Sequence, residues 1–358
     1  MSENNSLKKI NKKAVSPISI NSLNNLSANQ ILTSNNISIN SNNEQPGIIE
    51  VYEDNFIEEI KNLSSLLEEY NYIGMDTEYP GIVYIVQNLT KDFYYKTLKL
   101  NIDSLKIIQL GITLTNSKGE FPKNSKYHTW QFNFEFDKNV DKITPSSLNL
   151  LEQCGIDFNK LKKKGIKHKL FAEYFMISGL VLNPDVCWIS FHGCYDFGYL
   201  LKLLINLNLP DTEKDFMNLL DTYFINYYDI KTMVKRKDNG KVGLNTLAQS
   251  LEVLREGKTH QAGSDSVVTI DVYFKLIKYR YLEENKILKN KNQLFGIANE
   301  EDNKETINYP QFSNLLYQMN NSNNIYIVPY INNYYYYVPN NNGTQQNNNN
   351  SIQIPSFI

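Results

Sequence analysis

Hydrophobic and polar positions follow two different periods in the middle of the chain, between about residues 47 and 284. Apolar residues spaced three and four apart predict helices at about 55–70, 145–154, 169–181, 195–207, 244–251 and 264–281. Short apolar runs predict buried strands at about 72–75, 106–115 and 186–191. The alternation of aromatic and polar residues over 129–136 predicts a further strand with one face in solvent. Strands that cluster early and then alternate with helices predict an α/β domain with a mixed central sheet flanked by helices.

The two ends of the chain lack this periodicity. Residues 1–46 are mostly Asn, Ser and isolated Ile, and the segment from about Tyr317 onward is rich in Asn and Tyr. Such compositions bury too little apolar surface to offset chain entropy. We therefore expect a disordered tail at 1–46, a folded domain at 47–284 and a mostly disordered tail at 285–358. Both compositional drift and a prion-like role in condensation are compatible with these tails.

Charge and cysteine content narrow the class of protein. The 36 basic residues nearly balance the 38 acidic ones, giving a net charge of −2. A nucleic acid would therefore have to be bound through local basic patches or metal ions, since bulk positive charge is absent. The three cysteines are too few and too scattered for a disulfide framework, which favours a reducing compartment. We also expect neither a secretory signal nor a membrane span, because no stretch is long and apolar enough.

The first chemical motif stands at the end of the predicted strand that begins at Tyr72. Asp76 and Glu78 are two residues apart, so an extended backbone directs both carboxylates to the same side. Two neighbouring anions repel each other, and they require a shared cation or a proton. A strand that simply runs into a polar turn has the same local pattern. This segment alone therefore does not distinguish a metal site from a polar turn.

The second motif follows the strand at 186–191. The chain turns at Gly193 into a predicted helix with Asp196 near its start. An acidic residue at that position also stabilises the helix dipole, which is the ordinary explanation for an isolated case. His192, just before the turn, is given no chemical role.

The third motif precedes the last predicted helix. His260 lies five residues before Asp265, and Gly263 between them would let the backbone approach a ligand closely. A purely structural alternative is that Ser264 or Asp265 caps the helix. A histidine at this point suits proton uptake, because its unperturbed pKa lies near neutrality.

Taken together, the three motifs supply four carboxylates and one imidazole at strand ends and helix starts, where α/β sheets form ligand sites. Oxygen ligands without cysteine favour Mg²⁺ or Mn²⁺ over zinc. The sequence therefore predicts a divalent metal site formed by distant segments. It requires that the carboxylates converge, and an arginine that filled the pocket would contradict it.

The same motifs resemble those of a known family. The matching segments are Met75-Asp76-Thr77-Glu78-Tyr79-Pro80-Gly81, Phe191-His192-x-x-Tyr195-Asp196-Phe197-Gly198-Tyr199-Leu200 and His260-Gln261-Ala262-Gly263-Ser264-Asp265. They are similar to the three exonuclease motifs of the Caf/Pop-type deadenylases, catalytic subunits of the CCR–NOT complex in the His-containing branch of the DEDD exonuclease superfamily. The resemblance runs from about Ile48 to Leu282 and leaves out both tails.

This resemblance implies an RNase H-like exonuclease fold and the removal of 3′-terminal adenosines from messenger RNA poly(A) tails, with release of AMP. It implies that two divalent ions (Mg²⁺ or Mn²⁺) are held by four carboxylates, Asp76, Glu78, Asp196 and Asp265. His260 would be the general base. The implied partners are poly(A) RNA, a Not-type scaffold and other CCR–NOT subunits, and the implied location is cytoplasm and nucleus.

Some features depart from the family pattern or stay open. Tyr79 stands where Phe is usual, and we expect its ring to pack in the same way. Basic runs at 160–169 and 231–241 are read as solvated faces, although the second could flank the RNA, with Lys235, Arg236 and Lys237 as candidates. Two other functions are compatible with the fold: a different DEDD exonuclease acting on RNA or DNA, and a non-catalytic scaffold subunit. A scaffold would be expected to have lost at least one of the five site residues, and all five are present.

Overall fold

The computed structural model describes residues 47–87, 93–234, 242–279, 284–297, 326–331 and 334–335. The predicted N-terminal tail and the basic triplet Lys235–Lys237 lie outside the described residues. Among the described residues, no helix is both long enough and apolar enough to cross a membrane.

The secondary structure alternates between strands and helices along most of the folded domain. The strands are β1 (Ile48–Val51), β2 (Tyr72–Glu78), β3 (Tyr84–Gln87), β4 (Gln109–Thr115), β5 (Thr129–Asn133), β6 (Cys187–Ser190), β7 (Tyr227–Asp229), β8 (Tyr326–Ile331) and β9 (Tyr334–Tyr335). The helices are α1 (Phe56–Ser64), α2 (Phe93–Ser104), α3 (Pro145–Gln153), α4 (Phe158–Lys164), α5 (His168–Met176), α6 (Cys194–Ile205), α7 (Glu213–Tyr223), α8 (Ile230–Met233), α9 (Leu244–Ser250), α10 (Ala262–Lys278) and α11 (Glu284–Lys289).

Six strands form a mixed sheet in the order β1-β5-β4-β2-β6-β7. The pairs β1–β5, β2–β6 and β6–β7 are parallel, whereas β2–β4 and β4–β5 are antiparallel. The strand β2 is therefore central, with antiparallel β4 on one side and parallel β6 on the other. The predicted α/β class with a mixed central sheet is confirmed.

The two faces of the sheet differ in character, as β4 illustrates. Leu110, Ile112 and Leu114 are fully buried in the main hydrophobic core, together with aromatic residues of α1, α5 and α6. The intervening positions face α10, where Thr113 hydrogen-bonds Ser266 at 2.7 Å. Gly111 lies so close to α10 that an added Cβ would be 1.9 Å from the Ala262 carbonyl oxygen. The sheet is thus covered on one face by several helices and on the other by α10, which lies directly on its backbone.

The expectation that β5 has one face in solvent is wrong. Gln131 and Asn133, the polar positions of this strand, are 2% and 1% exposed. Gln131 donates to the Glu50 carboxylate and accepts from the Gly263 backbone N–H, and Asn133 also donates to Glu50, at 2.7–2.8 Å. Because a buried amide is stable when its hydrogen bonds are satisfied, the alternating pattern here marks the contact with α10.

Several predicted boundaries shift. The fourth predicted helix begins at Cys194, and the third ends at Met176 rather than near 181, because the chain then turns through Gly179 with a positive φ of 81°. Residues 284–297 extend the folded domain beyond 284, since Leu294 and Ile297 are buried in the main core. Within the predicted C-terminal tail, β8 pairs in parallel with β3 in a second, small sheet. The basic run at 160–169 is a solvated face whose exposed lysines form ion pairs: Lys162–Asp137, Lys164–Asp54 and Lys167–Glu53.

Candidate active site

The central strand β2 carries the first two acidic residues. In its register with β4, Asp76 lies opposite Gly111 and Glu78 opposite Gln109. Paired residues of neighbouring strands project to the same side of a sheet, so both carboxylates face α10. Asp76 and Glu78 therefore share one face, as the two-residue spacing predicts.

Asp196 reaches the same place from the other side of β2. It lies in the first turn of α6, is 7% exposed and accepts a 2.5 Å hydrogen bond from the Thr77 hydroxyl through Oδ1. The turn before α6 is held by Asp229, whose carboxylate accepts the backbone N–H groups of His192 and Gly193 at 2.7 and 3.1 Å. Thr77 and Asp229 thus fix where Asp196 stands relative to β2.

The remaining two residues come from the start of α10. This helix begins at Ala262 with Gln261 as its N-cap, so Ser264 and Asp265 lie inside the first turn and the expectation that either caps the helix is wrong. His260 precedes the helix with a positive φ of 57° and donates its backbone N–H to Asp265 Oδ2 at 3.2 Å.

Gly263 packs against the sheet. A Cβ at this position would meet the Gln131 side chain at 3.0 Å and Ile48 at 3.1 Å, both on the sheet. The glycine therefore permits close packing of α10 against β5, and the close approach of a ligand at this point stays a prediction.

Three of the five predicted residues meet at the end of β2. One ligand atom from each of Glu78, His260 and Asp265 lies within 4.8 Å of the other two. Burial raises the pKa of Asp76 well above its ordinary value, and the carboxylates of Asp265, Asp196 and Glu78 raise it further. The other three carboxylates therefore act electrostatically on Asp76.

Electrostatics make this cluster costly without a cation. Burial raises the pKa of Glu78 well above its ordinary value, with contributions from Asp265 and Asp196. Burial also raises the pKa of Asp196 to about 7, with a further rise from Asp229, although the hydrogen bond from Thr77 opposes it. Neighbouring carboxylates that cannot all ionise in isolation form a strong site for a hard divalent ion. The donor set of oxygen atoms with one imidazole fits Mg²⁺ or Mn²⁺.

An arginine lies beside the cluster. The Arg255 guanidinium donates to Asp265 Oδ1, to the Asn245 side-chain oxygen and, at 2.9 Å, to the Ser264 hydroxyl. It makes no hydrogen bond to the other three carboxylates of the cluster, all of which lie in the described part of the chain. Arg255 therefore contacts the cluster through Asp265, and its positive charge also acts on Asp76, whose pKa it lowers against the effect of burial.

Aromatic rings support the strand end on the side of α6. The Tyr79 ring stacks on Tyr195 and Tyr199 with centroid separations of 5.1 and 5.4 Å. Burial raises the pKa of Tyr79 well above its ordinary value, so the hydroxyl stays protonated at neutral pH. The ring following Glu78 is thus held rigidly within a tyrosine stack.

Comparisons with known proteins identify the family of the chain. A family model described as "CAF1 family ribonuclease" matches residues 51–173, which include Asp76 and Glu78. Probable CCR4-associated factor 1 homolog 7 of Arabidopsis thaliana is 43% identical over 257 residues, covering 70% of this chain and 91% of the relative. The chain belongs to the CAF1 family of ribonucleases. Poly(A) ribonuclease pop2 of Schizosaccharomyces pombe is 41% identical over 254 residues, covering 70% of this chain and 75% of the relative.

Solved structures of the CAF1 family show the same fold. Pop2p from S. pombe, in its Mg²⁺- and Mn²⁺-bound form, has a TM-score of 0.66 at 39% identity and covers 70% of this chain and 99% of its own. Yeast CAF1 co-crystallised with the NOT1 MIF4G domain has a TM-score of 0.60 at 29% identity, covering 69% of this chain and 96% of that chain. The RNase H-like exonuclease fold expected from the motifs is confirmed.

Sequence reasoning missed three residues that position the site. The sequence pattern assigns no positioning role to Thr77, Asp229 or Arg255. The signal for Thr77 and Asp229 is weak, because a polar residue at a strand end is common. Arg255 could have been noticed, since it is a basic residue only five positions before His260.

Proposed function

We propose that the protein is a poly(A)-specific 3′→5′ exoribonuclease that releases AMP and uses two divalent metal ions. The observation that carries the proposal is the convergence of Glu78, His260 and Asp265 within 4.8 Å, beside Asp76 and Asp196, in a member of a ribonuclease family. Relatives named poly(A) ribonuclease support the substrate, and the Mg²⁺- and Mn²⁺-bound Pop2p structure supports the metals.

The four carboxylates are the proposed metal ligands: Asp76, Glu78, Asp196 and Asp265. When bound, two such ions would polarise the phosphodiester and stabilise charge on the attacking and leaving oxygens. Thr77 and Arg255 orient two of the carboxylates by hydrogen bonds. Asp76 and Glu78, the two acids on β2, are partly buried, which limits the access of water. Hydrogen bonds and charges therefore act more strongly there than in bulk solvent.

His260 is the proposed general base. Its imidazole accepts the proton of the attacking water, and its backbone is held by the N–H donated to Asp265. The same geometry supports a second role, since an imidazole nitrogen lies among the atoms that could bind a metal. Metal affinity of a His260→Ala variant separates the roles, because loss of a base leaves binding intact and loss of a ligand weakens it.

The direct test is purified protein with 5′-labelled oligo(A) and Mg²⁺ or Mn²⁺, run beside the Asp76→Ala variant. We expect ladder-like shortening from the 3′ end that EDTA and the substitution both abolish. Oligo(U) and single-stranded DNA of equal length serve as matched substrates. Equal digestion of all three would leave an exonuclease of broader specificity, and full activity in Asp76→Ala would remove the site assignment. If the native protein leaves oligo(A) at full length, a scaffold function would be favoured.

We also propose that the protein works as a subunit of a CCR–NOT-type complex. The support is the similarity to a CAF1 that co-crystallised with a NOT1 MIF4G domain. A pull-down with a purified MIF4G domain tests it, and no binding at micromolar concentration would contradict it. Location in both cytoplasm and nucleus, tested by imaging the tagged full-length chain, is proposed on the family resemblance.

A further inference from the structure

The segment that carries His260 has an unusual backbone. Residues 251–261, which we call the His260 loop, join α9 to α10. Within it Glu252, Gly257 and His260 have positive φ angles of 55°, 83° and 57°. Left-handed conformations are unfavourable for residues other than glycine, so surrounding contacts must hold Glu252 and His260 in place.

Two side chains anchor the loop: Lys275 of α10 donates to the carbonyl oxygens of Leu251 and Glu252 at 3.0 and 2.7 Å, and Arg255 holds its middle. Arg255 is four-fifths buried, with 20% of its side chain exposed, and its planar guanidinium binds Asn245 on α9 and Asp265 on α10 together. The Ser264 hydroxyl accepts from Arg255 at 2.9 Å and donates to the Glu256 carbonyl oxygen at 2.5 Å. Arg255 and Glu256 are therefore hydrogen-bonded to the first turn of α10, which holds the middle of the His260 loop against its own C-terminal end.

Asp265 is thereby held at both oxygens. Its Oδ1 accepts from Arg255, and its Oδ2 accepts the backbone N–H of His260 at 3.2 Å. With two donors on opposite oxygens, the carboxylate cannot rotate freely. The same pair of hydrogen bonds fixes the position of the His260 backbone relative to Asp265.

We propose that Arg255 is a positioning residue, which orients Asp265 and holds the His260 loop so that the base and the ligand act on the same phosphate. The inference rests on the proposed function, because it assigns Arg255 a part in that reaction. The role depends on the fork geometry of the guanidinium, which reaches three acceptors at once. Lysine keeps the charge but presents a single point donor and does not reproduce these contacts.

The test compares four variants of the full chain. Arg255→Met removes the donors and keeps much of the volume, whereas Arg255→Lys keeps the charge. Asn245→Ala removes only the outer anchor on α9. Lys258→Met is the charge-matched control, since it removes one exposed positive charge from the same loop without a hydrogen bond to α10.

We expect Arg255→Met and Arg255→Lys to lower kcat by about 10- to 100-fold, as expected for misplaced catalytic groups, with KM for oligo(A) changed less than about threefold. Asn245→Ala should give a smaller fall, and Lys258→Met should keep the native kcat. Amide hydrogen exchange in residues 251–261 should rise in both Arg255 variants and stay native in Lys258→Met. Calorimetry with Mn²⁺ alone should still show saturable binding in every variant, because the carboxylates remain.

Three results decide the matter. Native kcat in Arg255→Lys would mean that charge suffices and would overturn the proposed role of geometry. Unchanged hydrogen exchange in the His260 loop of Arg255→Met would overturn it as well, whatever the activity. If the native protein fails to digest oligo(A), the proposed function fails, whereas the exchange experiment still reports independently whether Arg255 holds the loop.

Discussion

The close contact between β4 and α10 allows a sharp prediction for Gly111→Ala. An added Cβ at Gly111 would lie 1.9 Å from the carbonyl oxygen and 2.2 Å from the carbonyl carbon of Ala262, with the Gly263 nitrogen at 2.6 Å. Unstrained contact between such atoms begins at about 3.5 Å, so the start of α10 must move by more than about 1 Å. All three atoms belong to the backbone, and rotation of a side chain cannot relieve the overlap.

The cost follows from what moves. Overpacking of this kind typically destabilises a protein by about 1–3 kcal/mol. For a domain of this size that corresponds to a fall in Tm of roughly 3–10 °C. Activity should fall further than stability, because His260 and Asp265 lie at the displaced end of α10 while Asp76 stays on β2. A misplacement of about 1 Å can reduce turnover on the order of 100-fold.

The assay compares Gly111→Ala with Gly243→Ala at the start of α9. Nothing lies within 4 Å of a Cβ added at Gly243, so this control should cost less than about 1 kcal/mol, the usual loss at a helix cap. Thermal unfolding and the rate of oligo(A) shortening are measured on both variants, at a temperature where each is fully folded. The reasoning is refuted if Gly111→Ala keeps the Tm and rate of the native protein, since α10 would then not rest on the backbone of β4.

Three further predictions concern single polar groups. His260→Ala should lower kcat by about 10²–10⁴-fold, the usual effect of losing a general base, and retain Mn²⁺ binding by calorimetry; weakened binding would make His260 a ligand. The second prediction is tested in EDTA, without bound metal. Burial raises the pKa of Asp196 from 3.8 to about 7 in the folded protein, so the folded protein keeps a proton that the unfolded chain releases. The free energy of unfolding therefore falls as the pH rises from about 4 to about 7. Asp196→Asn should therefore gain stability over the native protein between those pH values, by up to about 4 kcal/mol in urea unfolding, whereas a difference independent of pH would contradict the shift. Asp229→Ala leaves four backbone N–H groups without their acceptor, the buried one of Gly193 and the partly buried ones of His192, Lys231 and Phe295. It should cost about 3–5 kcal/mol in the same measurement. Exposed Asp185→Ala is the control, and an equal effect of both would show that these hydrogen bonds contribute little.

Local spacing along the chain was enough to predict the elements on which the acidic residues of the proposed site lie. The two-residue spacing of Asp76 and Glu78 fixes a common side because a strand alternates, and the turn at Gly193 places Asp196 in the first turn of a helix. These are properties of a few neighbouring residues, and they hold in any fold that keeps the strand and the helix.

Contacts between distant segments decided the rest. The polar face of β5 was predicted to meet solvent, yet Gln131 binds the backbone of Gly263, which is 132 positions away along the chain. Arg255 likewise acquires its role from the closure of the His260 loop on Asp265. Alternation along a strand predicts which residues share a face of the sheet. It does not predict whether solvent or another element covers that face.

The sequence alone therefore determined where the acidic side chains stand and the class of element that carries each one. The tertiary structure alone decided that α10 lies directly on β4 and that an arginine and a threonine orient two of the carboxylates. The physical reason is that periodicity and spacing are set by backbone geometry within a few residues. The packing partner of a buried polar group depends on segments that are brought together only when the whole core forms.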